Sequence, residues 1–335
     1  VLELVIALTG TAIVFALPRL TAWLAPWLSP LLGEPVLLNS LRATVGFALM
    51  LIPAVAMGAT LPLLVSALSR NTKSFGQALG GLYGWNTLGA VGGVLLAELF
   101  LVAQLGIRGT ALVAGACNCI AALLSLFVDR SLESAPKTPP APARGQPAKP
   151  GARARLILAT AFGLGALLLG LEVIWFRILI LIVAGTPYTF AVMLAVVLAG
   201  IGCGGLIASA WLTAREEAWR GIPLLCLLAG GLCLWLYLGF GFYSSASSGG
   251  EAAAFLRVVS LAFPLMFPVA LLSGLLFPLL GERLHAELGG ETRSAGLLTL
   301  ANTVGAALGS LIAGFTLLPR LGMETSLFVL ALGYG

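Results

Sequence analysis

The chain has 335 residues, 59% of them hydrophobic and 9% charged, with a mean hydropathy of +1.06. A soluble domain carries about 25% charged residues, so this composition excludes water as the main solvent. The formal charge of +5 is scattered between apolar runs, with no basic stripe interleaved with aromatics, which argues against nucleic-acid binding and leaves the charges to fix topology.

Apolar runs of about 20 residues are long enough to cross a ~30 Å hydrocarbon core as helices. Period-two alternation is absent, which leaves helices as the spanning element. The runs predict about ten spans, near 1–24, 38–68, 76–104, 109–128, 155–184, 187–213, 221–243, 252–280, 294–318 and 324–335. The first begins without Met, a basic leader or a cleavage site, so it does not read as a signal peptide. With the short tenth run, the chain reads as starting and stopping inside a longer sequence.

The fourth and fifth spans are separated by DRSLESAPKTPPAPARGQPAKPGARAR, residues 129–155. Its Pro, Ala and basic content offers no apolar face to bury, so 129–154 is expected to be a flexible linker. It divides the chain into an N-terminal half of four spans at 1–128 and a C-terminal half of six at 155–335. Twelve Lys and Arg residues fall on the linker's side, against Arg19, Arg42, Arg108 and Arg320 on the other. That bias places the linker in the cytoplasm of a bacterial inner-membrane protein. Arg42 and Arg257 open outer-side helices, where snorkelling accounts for them.

GLYGWNTLGAVGG at 81–93 raises a separate question, because an asparagine in lipid needs a partner. GLLTLANTVGAALGS at 296–310 repeats it. Asn86 pairs with Asn302, Thr87 with Thr303, Gly89 with Gly305 and Gly93 with Gly309, each 216 positions apart. The same offset relates Gly58 to Gly274, Pro62 to Pro278, and Leu105–Gly106 to Leu321–Gly322. Copies with one charge topology are parallel repeats about an axis along the membrane normal, as in the major facilitator architecture. The expected fold is therefore all-α and polytopic, two parallel repeats with the first two helices of the first copy absent.

Small residues let helices approach in lipid, so Gly89 and Gly93, like Gly305 and Gly309, predict helix seams. Asn86 and Asn302 share those faces. Each is read as an interhelical hydrogen bond worth about 0.6 kcal/mol, with a ligand contact as the alternative. Glu172 and Arg177 in LEVIWFR are five apart and can lean together, either as a structural ion pair or in a substrate or proton role. Glu172 lies 17 residues past Arg155, about 25 Å along the helix, which suggests an outer gate. Glu98 has no charged neighbour in sequence and needs a partner from another helix.

Cys117, Cys119, Cys203, Cys226 and Cys233 lie in or beside apolar spans and read as small apolar groups. They and His285 lack metal-ligand spacing, so no metal is expected. No P-loop, HExxH, GxSxG or strand-linked GxGxxG occurs, and GIGCGG at 200–205 lies in a span, where glycines serve packing. No cofactor is expected.

MGATLPLL at 57–64, GGLYGWNTLGAVGG at 80–93, the LG of QLGIRGT and LEVIWFR at 171–177 resemble the membrane part of bacterial spermidine synthase-like proteins. In that family a major-facilitator-like helical region is often followed by a cytoplasmic aminopropyltransferase-like domain. The resemblance covers nearly the whole chain, and Glu172, Trp175, Arg177, Asn86 and Asn302 are the motif residues that carry over. It implies a membrane domain that anchors the enzyme and passes a small cation such as a polyamine. The family's glycine-rich nucleoside loop and its amine-deprotonating acid have no match here, so no catalytic residue is assigned. The other readings are a stand-alone major-facilitator-like transporter and an accessory subunit of a larger membrane complex.

Overall fold

The computed structural model describes residues 1–69, 72–133, 150–215, 217–244 and 251–335. Those residues form ten α-helices and, among them, no strand. They are α1 (Leu2–Leu28), α2 (Pro35–Leu68), α3 (Phe75–Leu96), α4 (Val102–Glu133) and α5 (Ala152–Leu179), then α6 (Pro187–Ala214), α7 (Ile222–Ser244), α8 (Glu251–Leu288), α9 (Glu291–Ile312) and α10 (Leu318–Leu332). Short 3₁₀ turns at Ser29–Gly33 and Ala218–Gly221 precede α2 and α7.

Eight helical stretches are long and apolar enough to cross a membrane, rather than the ten separate spans expected. The difference has a local cause. α3 continues through a π-helical turn at Ala97–Leu101 into α4, and α9 through one at Ala313–Leu317 into α10. The linker residues 134–149 lie outside the described residues, and the helices reach past the predicted linker boundaries, to Glu133 and back to Ala152.

The chain divides into two compact units, Val1–Thr60 with Leu99–Ala148, and Leu61–Glu98 with Lys149–Gly335. In the first, α1 packs on α4. Gly115 brings the backbones together, since a Cβ there would stand 2.7 Å from Thr11 Oγ1. The Thr11 hydroxyl donates to the Ala111 carbonyl at 3.4 Å, and the Arg108 guanidinium lies 5.7 Å from the Phe15 ring centroid.

The second unit holds the main core. α6 is its centre, with α3 on one side and α8 on another, while α5 packs on α9 and α7 on α8. The seams are built from glycine, as lipid-embedded helices require. A Cβ on Gly204 would stand 2.1 Å from the Leu271 carbonyl oxygen, and one on Gly274 2.3 Å from that of Ile201. Gly80 and Gly84 of α3 meet the backbone of Gly205 and Gly202 of α6 in the same way. The Ser209 hydroxyl adds a 2.9 Å hydrogen bond to the Gln77 carbonyl.

The 216-residue offset extends from sequence to local structure. It carries the end of α1 at Leu28 and the start of α2 at Pro35 onto the end of α7 at Ser244 and the start of α8 at Glu251. It carries both ends of α3 onto those of α9, and one π turn onto the other. Gly106 (φ 66°, ψ 179°) and Gly322 (φ 75°, ψ 177°) break their helices in one conformation, which only glycine adopts readily. Four residues beyond each break, Thr110 and Ser326 donate a hydroxyl hydrogen bond to the carbonyl of that glycine.

Candidate functional site

The predicted polar residues do not gather at one point. Glu172 is half-buried on α5, whose neighbours Leu171, Ile174 and Trp175 are fully buried. Arg177 occupies the last turn of the same helix and is exposed. Neither takes part in an ion pair or side-chain hydrogen bond among the described residues, so the expected Glu172–Arg177 contact does not form. Five residues turn a helix by about 140° beyond a full turn, which points the two side chains to different faces. Between them, the Trp175 indole N–H is buried without a partner.

Asn302 is half-buried in the α5–α9 seam, where a Cβ on Gly165 would stand 2.9 Å from its side-chain oxygen. Gly305 and Gly309 lie against the Phe162 and Ala166 carbonyls, and a Cβ on either would stand only 2.0 or 2.1 Å from the oxygen it faces. This seam is the one the sequence predicted. Gly165 and Glu172 lie seven residues apart on one face of α5, so Asn302 sits roughly 10 Å along the helix from the carboxylate.

The matching seam on α3 does not form. Asn86 is exposed, and nothing lies within 4 Å of a Cβ built on Gly89 or Gly93. The side of α3 that is packed is the other one, with Gly80, Gly84 and Thr87 buried. Matching local sequence thus meets different neighbours. Glu98 is half-buried in the first π turn, and its counterpart 216 residues on is Gly314, which approaches Val173 of α5.

Sequence reasoning missed a cavity of about 320 Å³ lined by Ile182, Val183, Thr186, Tyr188, Thr189 and Arg257. Thr186 caps α6, its hydroxyl accepting from the Thr189 N–H at 3.2 Å, and the Thr189 hydroxyl donates to the Ala184 carbonyl at 2.7 Å. These bonds fix the α5–α6 turn and hold the hydroxyls at the cavity wall. Arg257, from the first turns of α8, half-buried, adds a guanidinium with no ion-pair partner among the described residues. Snorkelling, the expectation from sequence, does not account for a side chain at a cavity wall. The sequence holds only a faint clue to it, a basic residue set inside the start of an outer-side helix.

Among the described residues, no group of three or more His, Cys, Asp or Glu side chains is placed to hold a metal ion. No protein-family model matches the chain, and no curated protein matches it in sequence.

Proposed function

We propose that the chain is the membrane domain of a carrier-type protein built from two parallel repeats, related to the membrane region of spermidine synthase-like proteins. In this reading it anchors a cytoplasmic aminopropyltransferase-like domain in the bacterial inner membrane, with the central linker cytoplasmic, and passes a small cation such as a polyamine. One observation carries the scaffold part: the π turns, the positive-φ glycines and the hydroxyls behind them recur with the 216-residue offset of the sequence motifs. Parallel repeats of this kind place substrate sites near the midplane between them. The half-buried carboxylates Glu98 and Glu172 are the acids available to a cation.

The test is uptake of labelled spermidine by proteoliposomes holding the chain. Protein-dependent uptake that Glu172→Gln and Arg177→Ala abolish, at unchanged yield of folded protein, supports the reading. No uptake above empty vesicles removes the passage of polyamine and leaves the anchor. Loss of folded protein in step with activity makes the two residues structural.

The Arg257 cavity favours a second reading, a stand-alone carrier. Its described lining holds hydroxyls and a guanidinium but no carboxylate, so cargo pausing there carries an acidic or neutral polar group. Uptake of a labelled organic anion, lost in Arg257→Gln, distinguishes this from a cation carrier.

A further inference from the structure

α3 and α9 carry the same motif, yet each is packed on a different side. α9 seats Asn302, Gly305 and Gly309 against α5. Its other side is open: nothing lies within 4 Å of a Cβ on Gly296, and Leu300 is 60% exposed. α3 reverses the pattern. Its Gly80 and Gly84, the counterparts of Gly296 and Leu300, are seated against α6, while Trp85, the neighbour of Asn86, is 70% exposed and Gly89 and Gly93 are open. Each helix therefore shows one filled seat and one open seat, and the open seat on either is the filled seat on the other.

The occupants of the filled seats are α5 and α6, consecutive helices joined by a short turn. The offset that carries α7–α10 onto α1–α4 carries α5 and α6 to positions ahead of Val1. We propose that the two open faces are the seats of one membrane-spanning helix hairpin with the pattern of α5–α6, carried by the same polypeptide on the amino-terminal side of Val1. Its first helix lies along Asn86, Gly89 and Gly93 of α3, with small residues where α5 has Gly165 and Ala166. Its second lies along Gly296, Leu300 and Val304 of α9, with a glycine ridge like Gly202 and Gly205 of α6. Open glycine faces this close to helix backbone are what lipid-phase association uses. Two such faces related by one offset call for one pair of helices. The inference rests on the two-repeat part of the proposed function and not on its substrate.

The experiment attaches a nitroxide to Gly93→Cys and, separately, to Leu300→Cys, in cysteine-free protein expressed from its complete reading frame and from Val1 onward. Both positions are open here, so neither label forces the α3–α6 or α5–α9 seam apart. The expected result is that both labels are open to lipid-dissolved oxygen in the chain starting at Val1, as is a control at Trp235, and that both lose this accessibility in the complete protein. Labels equally open in both forms overturn the proposal. So does a reading frame with no hairpin ahead of Val1, or shielding that appears only as the protein dimerises, which would make a second copy the occupant. The readout contains no transport step, so a failed uptake assay and a failed seat are told apart.

Discussion

Gly204 and Gly274 mark the closest approach of α6 and α8, where each faces the other helix's backbone rather than a side chain that can move aside. Gly204→Ala is expected to cost about 1–3 kcal/mol by overpacking, read as a lower midpoint of thermal unfolding in detergent. Gly231→Ala on α7, with nothing within 4 Å, should leave the midpoint unchanged or slightly raised. Ser294 makes the opposite case. Its side chain is fully buried and its hydroxyl has no partner, so Ser294→Ala removes an unsatisfied polar group and should stabilise by about 1 kcal/mol in the same measurement. Part of this was legible from sequence: glycines at 200–205 in a lipid-facing composition have packing as their natural use, and all of Gly200, Gly202, Gly204 and Gly205 lie in seams. Asn86 was not, because its exposure depends on which helix stands opposite, and nothing within its own turn records that.

At the scale of elements, the start of α3 is held from outside the helix. Ser74 caps it, accepting from the Gln77 N–H at 3.2 Å, and the Glu282 carboxylate of α8 accepts from the Gly76 N–H at 2.5 Å. A carboxylate at a helix N-terminus meets both an unpaired donor and the positive end of the macrodipole. Glu282→Ala is expected to cost about 1–2 kcal/mol and to raise amide exchange first at residues 75–78. Glu282→Gln, which keeps an acceptor, should lose less. The same end of α8 stacks His285 on Phe75 with ring centroids 4.5 Å apart, and sets Arg283 4.4 Å from the Trp219 ring centroid. The ten helices were readable because each is an apolar run closed by polar residues, and their observed ends differ from the expected ones by a few residues. The π turns were not readable, since one extra residue per turn leaves composition unchanged. The Glu282 cap was hidden because its two partners lie 206 positions apart.

For the whole molecule, the distribution of Lys and Arg is the feature with a direct topological consequence. A cysteine placed at position 137, within the linker, should react with a membrane-impermeant maleimide in inside-out vesicles and not in right-side-out ones. One at position 34, between α1 and α2, should do the reverse. Reaction of both from the same side would overturn the alternation of spans. Two halves were legible because motif and charge repeat together. The division into compact units was not, since it assigns α3 to the unit of α5–α10 while α1 and most of α4 form the other.

That assignment has a consequence in time. The ribosome finishes Gly84 of α3 118 residues before it makes Gly202, against which Gly84 rests. At about 5–20 residues per second, the gap is roughly 6–24 s. Through that interval α3 resides in the bilayer on its hydropathy alone, its glycine ridge turned toward lipid. Biosynthesis therefore asks two things of one helix in succession: enough apolar side chains to be admitted by itself, and enough bare backbone to be recognised by a neighbour that does not yet exist.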